Sequence, residues 1–170
     1  VELAKKVNVS QIVSMLIKRE IMQIKRLNSH DAKLAKVTIL SLKSNINQVT
    51  KNNLSEKYLA YFLSKDEHYL LVATEDSKPI GYILAYRLNR VDREQNMMFF
   101  YEIEVDQNHR RKGVGKALIN FLKNICRQNN IMKMWVETNR SNIPAMKLYR
   151  STGGIENKEG DEVSFTFYPD

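Results

Sequence analysis

The feature that most constrains this chain lies between residues 97 and 125. Met97 to Val105 reads as a strand that opens on the apolar run Met97-Met98-Phe99-Phe100. It runs into the basic loop Asp106-Gln107-Asn108-His109-Arg110-Arg111-Lys112. The next apolar residues are Val114, Ala117, Leu118, Phe121, Leu122 and Ile125, and their spacing puts them on one face of a helix that must be buried. A strand feeding a one-faced helix through a short loop needs a sheet for that helix to cover, so the chain is α/β.

The loop itself carries chemistry. Gly113 and Gly115 let backbone approach an anion closely, and the first helical turn presents N–H groups at the positive end of the helix dipole. Arg110, Arg111, Lys112 and Lys116 add charge, and a pyrophosphate fits such a loop. Leu118 stands where a dinucleotide-binding fingerprint has its third glycine, and the G-x-x-x-x-G-K-[ST] spacing is missing, so neither Rossmann nor P-loop chemistry is supported.

The remaining pattern fills in a domain. Residues 1–20 read as a basic extension, in which Ser10 is expected to cap a short helix bearing Ile12, Val13, Leu16 and Ile17. Residues 21–170 are expected to fold as one unit. Ile21 to Leu27 reads as a strand, and Asn28 to Asp31 supply caps for a helix through Leu34, Val37 and Leu40. A second helix carries Tyr58, Leu59, Phe62 and Leu63. Strands Tyr69–Ala73 and Ile80–Tyr86 form a hairpin about the polar turn Glu75 to Pro79. After the central strand and helix come a strand Met132–Thr138, a helix Ile143–Thr152 and a closing strand Val163–Tyr168. The expected fold is a mixed sheet with helices on both faces.

Composition removes several function classes. The 170 residues suffice for one domain with a real core. A single cysteine, Cys126, excludes an internal disulfide framework, and with three scattered histidines no metal site is argued. Cys126 itself closes an apolar helical face and reads as core. No apolar run is long enough to span a bilayer and no signal-peptide arrangement opens the chain, so a cytoplasmic protein without a membrane partner is expected. The net charge of +8 calls for an anionic partner, and the basic loop concentrates much of it on a phosphate site rather than on nucleic acid.

Two segments together carry a family resemblance. Arg110-x-x-Gly113-x-Gly115, set between strand and helix, resembles the acetyl-CoA pyrophosphate loop of the GNAT N-acetyltransferase superfamily. Asn142-Ile143-Pro144-Ala145-Met146-Lys147-Leu148-Tyr149-Arg150-Ser151-Thr152-Gly153 is similar to that superfamily's N-x-x-A-x-x-L-Y-x-x-x-G segment. The likeness runs from about Ile21 to Asp170. Within the superfamily, Tyr101-Glu102-Ile103-Glu104-Val105, His109-Arg110-Arg111 and Phe165-Thr166-Phe167-Tyr168-Pro169 look like the small aminoglycoside 3-N-acetyltransferases. Gly154 departs from the pattern, which usually has a bulky residue there.

The resemblance implies a GNAT fold, with a mostly antiparallel sheet splayed at its central strands, and acetyl-CoA as co-substrate without a metal. It implies that the strand ending at Val105 parts from Trp135-Val136-Glu137, so that backbone at Ile103 and Val105 holds the cofactor arm and a Val105-region N–H polarises the carbonyl. The loop residues Arg110, Arg111, Lys112, Gly113, Val114, Gly115 and Lys116 take the pyrophosphate, and Asn142, against a role as helix N-cap alone, and Ala145 contact the arm. Tyr149 matches the tyrosine that protonates the departing sulfur, against a packing role. Glu102 and Glu104 share one strand face, and either serves as the base that takes the ammonium proton, against a role as exposed residues or ion-pair partners. Ile103 and Val105, on the other face, are expected in the core.

The acceptor is the least legible part. Glu156, Glu159, Asp161 and Glu162, with Asp92 and Glu94, either line an acidic mouth for a cationic amine or form solvated turns. Three functions follow: acetylation of a small amine, with an aminoglycoside and hence antibiotic resistance implied by the resemblance; acetylation of a protein or peptide, as for ribosomal proteins; or an acetyl-CoA-responsive binding module. A homodimer through the last strands is a further implication.

Overall fold

The computed structural model describes residues 22–43, 46–47 and 53–157. The helix expected in residues 1–20 and the strand expected at Val163–Tyr168 lie outside the described residues. The chain divides after Glu137 into two compact units.

Among the described residues the first unit is built on a five-stranded sheet in the order β1-β2-β3-β4-β5. Its strands are β1 (Gln23–Arg26), β2 (His68–Glu75), β3 (Lys78–Leu88), β4 (Asn96–Val105) and β5 (Ile131–Trp135). The first four pair antiparallel in chain order, and β5 joins β4 in parallel. A parallel partner cannot be reached by a tight turn, and the crossover from β4 to β5 is made by the helix α3 (Val114–Gln128). The β2–β3 turn is two residues, Asp76 and Ser77, with φ of 48° and 64°. Positive φ at both positions matches the right-handed twist of the flanking strands.

Two helices precede the hairpin, α1 (Ala32–Leu42) and α2 (Glu56–Leu63). Asn28 caps the short turn that leads into α1, accepting from the His30 N–H, while the Asp31 carboxylate accepts from the Asn28 N–H. Ser55 caps α2 by accepting from the Tyr58 N–H. Leu27, Ala32, Ala35, Leu59 and Leu63 bury with Leu70, Val72 and Tyr82 into one cluster. The face of α1 differs from the expectation. Ala32, Ala35 and Thr38 are its buried residues, and Val37 is exposed. Helix α1 turns its small side chains inward, and the Thr38 hydroxyl is satisfied by donating to the Leu34 carbonyl at 2.8 Å.

The opposite face of the sheet is covered by α3. Val114, Leu118 and Leu122 of the expected face are buried, with Cys126 and with Ile119, which the spacing did not include, while Ala117, Phe121 and Ile125 are half-buried. The helix comes so near β3 that a Cβ on Gly81 would lie 3.0 Å from Val114 Cγ1 and 3.2 Å from Leu118 Cδ1. Layers on both faces of a mixed sheet are the expected α/β architecture.

The second unit holds α4 (Ile143–Ser151). It ends in a Schellman motif: Gly153, with φ of 85°, donates to the Arg150 carbonyl, and Gly154 donates to the Tyr149 carbonyl at 2.9 Å. A Cβ at Gly154 would stand 2.9 Å from that same oxygen, so this glycine is set by close approach. The departure noted at Gly154 therefore has a local steric cause.

Candidate functional site

Strand β4 has two different edges. Along β3 it pairs to its end, with Val105 opposite Gly81. Along β5 the ladder runs only from Asn96↔Ile131 to Phe99↔Trp135. The strands part at Phe99 and Trp135, whose rings stack at 5.2 Å. The expected splay is present and begins earlier than the sequence suggests, because β5 closes at Trp135 and Val136 to Thr138 are not strand.

A β-bulge then re-aims the side chains. Leu84 faces Glu102 and Ala85 faces Phe100, which leaves Tyr101 as the extra residue. Before the bulge, Met98 and Phe100 are buried. After it the alternation is reset, so that Glu102 and Glu104 lie opposite Leu84 and Tyr82, and Ile103 and Val105 lie opposite Ile83 and Gly81. The shared face of Glu102 and Glu104 is as expected. Ile103 and Val105 are only half-buried, which corrects the expectation that they are core. Beyond Trp135 no β5 ladder flanks this end of β4.

The Glu102 carboxylate is the charged centre of its face. Lys43, just past α1, donates to its two oxygens at 2.7 and 2.6 Å, and the Tyr82 hydroxyl donates to Oε1 at 3.0 Å. Burial, together with the charge and hydrogen bond of Glu102, holds the Tyr82 phenol far above its ordinary value, so it remains a donor. The carboxylate thus adopts the ion-pair role weighed in the sequence, while its side chain stays 22% exposed. A pocket of about 270 Å³ opens beside it, lined by Lys43, Tyr58, Phe62, Leu84, Tyr86 and Glu102 among others.

The loop after β4 is held at its base. Asp106 caps the turn by accepting from the Asn108 N–H, and His109 places Nδ1 at 2.6 Å from Asp106 and Nε2 at 3.2 Å from Glu75. The His109 hydrogen bond keeps the Asp106 carboxyl below the usual range. Arg110 Nε donates to the Val105 carbonyl at 3.1 Å, and Arg110, Arg111, Lys112 and Lys116 are exposed. Arg111 and Gly113 have φ of 64° and 89°, and no atom lies within 4 Å of a Cβ built at Gly113. Gly113 is the N-cap of α3 and offers no side-chain cap, so the N–H groups of the first turn face an open approach. Val114 is buried against the sheet, so its contribution to such a site is its backbone. Cations, an uncapped helix start and an open glycine fit the pyrophosphate of acetyl-CoA.

In the second unit, Asn142 caps α4 by accepting from the Ala145 N–H at 3.3 Å. Tyr149 is half-buried, and burial raises its phenol above the ordinary value. Glu156 accepts from Arg140 at 2.6 Å and from Arg150 at 2.8 Å. In the first unit, Asp92 pairs with Arg90 and Arg93. Both acids are engaged by arginines. Glu159, Asp161 and Glu162 lie outside the described residues.

Lys43 and Tyr82 escaped the sequence reading. A lysine 59 positions from its carboxylate carries no local signal, and Tyr82 reads as an ordinary strand residue. Among the described residues no group of three or more His, Cys, Asp or Glu is arranged to hold a metal, and no helix is long and apolar enough to cross a membrane.

The chain is similar to several known proteins. N-acetyltransferase 8 of Homo sapiens is 25% identical over 114 residues, 67% of this chain and 46% of that protein. The [Ribosomal protein bS18]-alanine N-acetyltransferase of Escherichia coli (strain K12) is 26% identical over 102 residues, 60% of this chain and 58% of that one. The chain spans about half the length of these curated relatives. In fold it is similar to the aminoglycoside acetyltransferase meta-AAC0020 from an uncultured soil metagenomic sample, with a TM-score of 0.69 and 22% identity over 89% of this chain and 97% of that one. The model of the Acetyltransferase (GNAT) family matches residues 38–153, a span that holds both the basic Gly-x-Gly loop and the Asn142–Gly153 segment, and the chain belongs to that family.

Proposed function

We propose that the chain is an acetyl-CoA-dependent N-acetyltransferase in which a primary amine attacks the acetyl group directly. The observation that carries this reading is the parting of β4 from β5 after Phe99 and Trp135, followed by a basic glycine loop into an uncapped helix start. Bound acetyl-CoA supplies an activated acetyl group on a thioester, whose C–S bond breaks as the C–N bond to the amine forms.

The chain's own residues have four tasks. Arg110, Arg111, Lys112 and Lys116, with the N–H groups at Gly113, Val114 and Gly115, bind the pyrophosphate. Backbone at Ile103 and Val105 orients the arm and offers an N–H to the reacting carbonyl. Glu102 or Glu104 takes the proton from the acceptor ammonium, directly or through water. Glu102 is the better supported, because it borders the pocket and its Tyr82 and Lys43 donors fix its orientation. Tyr149 gives its proton to the leaving sulfur, and its raised phenol keeps that proton available through neutral pH. The sequence resemblance assigns Asn142 and Ala145 a contact with the arm.

An aminoglycoside acceptor is supported by the sequence resemblance, and a peptide acceptor by the ribosomal-protein-modifying relative. The test of the reading is titration calorimetry with acetyl-CoA, followed by free-thiol release over a panel of amines. Stoichiometric binding with amine-dependent thiol release is expected; no binding contradicts it.

A further inference from the structure

The rings on the Glu102 face form a continuous series. Phe62 of α2 stacks on His68 at 4.1 Å, and His68 meets Tyr86 edge-on at 5.3 Å. Tyr86 contacts Tyr101 at 5.9 Å, Tyr101 contacts Phe99 at 5.8 Å, and Phe99 stacks on Trp135. This aromatic wall runs from the pocket to the point at which β4 and β5 part. The bulge at Tyr101 makes it possible, by keeping Phe99 and Tyr101 on the face to which Glu102 then returns. Tyr58, 56% exposed, stands at the pocket as a further ring.

The charge in the pocket is equally specific. Among the described residues Glu102 is the one carboxylate that lines the pocket, and Lys43 neutralises it from a lining position. A polycationic acceptor finds there a lining carboxylate that is already paired and a resident ammonium that repels its second charge. A single ammonium can share the Glu102 carboxylate or rest on a ring face, while an apolar body packs against Phe62, Leu84 and Tyr86.

Resting on the acetyltransferase reading above, we infer that the acceptor is a singly charged primary amine on an aromatic or similarly flat apolar body, and that Tyr86, Tyr58 and Lys43 set this preference. The amine nitrogen lies toward Glu102, and the apolar body lies along the aromatic wall. The pocket's volume of about 270 Å³, just below the roughly 300–1,000 Å³ usual for small-molecule sites, suits a small amine.

The test compares 2-phenylethylamine, spermidine, kanamycin and an alanine-terminated peptide, by calorimetric titration of the protein without acetyl donor and by thiol release with acetyl-CoA. Binding of 2-phenylethylamine is expected, with a kcat/KM at least about tenfold above the other three. Tyr86→Ala should raise its KM about tenfold with kcat changed less than about twofold, as loss of ring packing predicts. Tyr58→Ala, at an exposed position that leaves the core intact, should raise KM in the same direction. Lys43→Met should narrow the gap by improving spermidine. Equal or better use of spermidine, kanamycin or the peptide overturns the inference, as does an unchanged KM in both tyrosine variants; in either case thiol release leaves acetyl transfer standing. Absence of acetyl-CoA binding and of thiol release with every amine overturns the transferase reading itself.

Discussion

The ammonium of Lys43 lies 2.6 Å and 2.7 Å from the two carboxylate oxygens of Glu102, so the carboxylate at the pocket already has a cation before any acceptor arrives. An incoming ammonium must share that carboxylate or displace Lys43. Glu102→Gln keeps the Tyr82 hydrogen bond but removes the proton acceptor. Its kcat/KM is expected to fall about 10²-fold, at the low end of general-base contributions, with acetyl-CoA affinity unchanged. Glu104→Gln is expected to cost less than about tenfold. Steady-state rates for both variants check the order, and a larger loss at Glu104 would move the base there.

Tyr149 has its phenol raised by burial. A raised value means that the proton-bearing form persists beyond the ordinary 10, so Tyr149 should cause no fall in kcat as pH rises toward that value. Tyr149→Phe is expected to lose about 10²-fold in kcat while binding acetyl-CoA normally. A pH–rate profile and calorimetry of the variant test both statements; weakened binding with preserved kcat would mark a packing role.

Two glycines should respond differently to alanine. At Gly113 a Cβ meets nothing within 4 Å, and the cost is that of a left-handed backbone, about 1–2 kcal/mol. At Gly81 a Cβ meets Val114 Cγ1 at 3.0 Å and the Glu104 carbonyl at 3.1 Å. Overpacking there should cost about 1–3 kcal/mol and shift the start of α3, weakening acetyl-CoA binding as well. Urea unfolding and calorimetry on the two variants separate these effects.

Cys126 is buried at the end of α3, and burial pushes its thiol up to about 11. Iodoacetamide at neutral pH should leave it unmodified in the folded protein and alkylate it in urea. Rapid labelling of the folded chain, read by mass spectrometry, would contradict its place in the core.

The Asp106 carboxyl, lowered by its hydrogen bond to His109, links the loop to acid stability. A folded value below the unfolded one means that its contribution is present above the usual carboxylate range and is lost as pH falls through the lowered value. The fall of Tm with acid should therefore be shallower in His109→Ala. Thermal melts across the acid range measure this.

The strand, loop and helix from Met97 to Ile125 were legible because the period of the apolar residues changes where the glycines stand. Gly153 and Gly154 were not read as a helix end, and their places in the Schellman motif of α4 became intelligible with the Arg150 and Tyr149 carbonyls beside them. The face of α1 was misread because its inward residues are alanines and a threonine, which carry little hydrophobic signal. The bulge at Tyr101 and the Lys43–Glu102 pair depend on pairing across strands and on contacts distant in sequence, to which a local pattern is blind.

The most direct measurement follows thiol release and amine acetylation in one reaction, with acetyl-CoA and 2-phenylethylamine, by a thiol-reactive dye and mass spectrometry. The account predicts that N-acetylated amine and free CoA thiol accumulate one for one, and that both rates collapse together in Glu102→Gln. Thiol release without acetylated amine, or none with any amine in the panel, would contradict it.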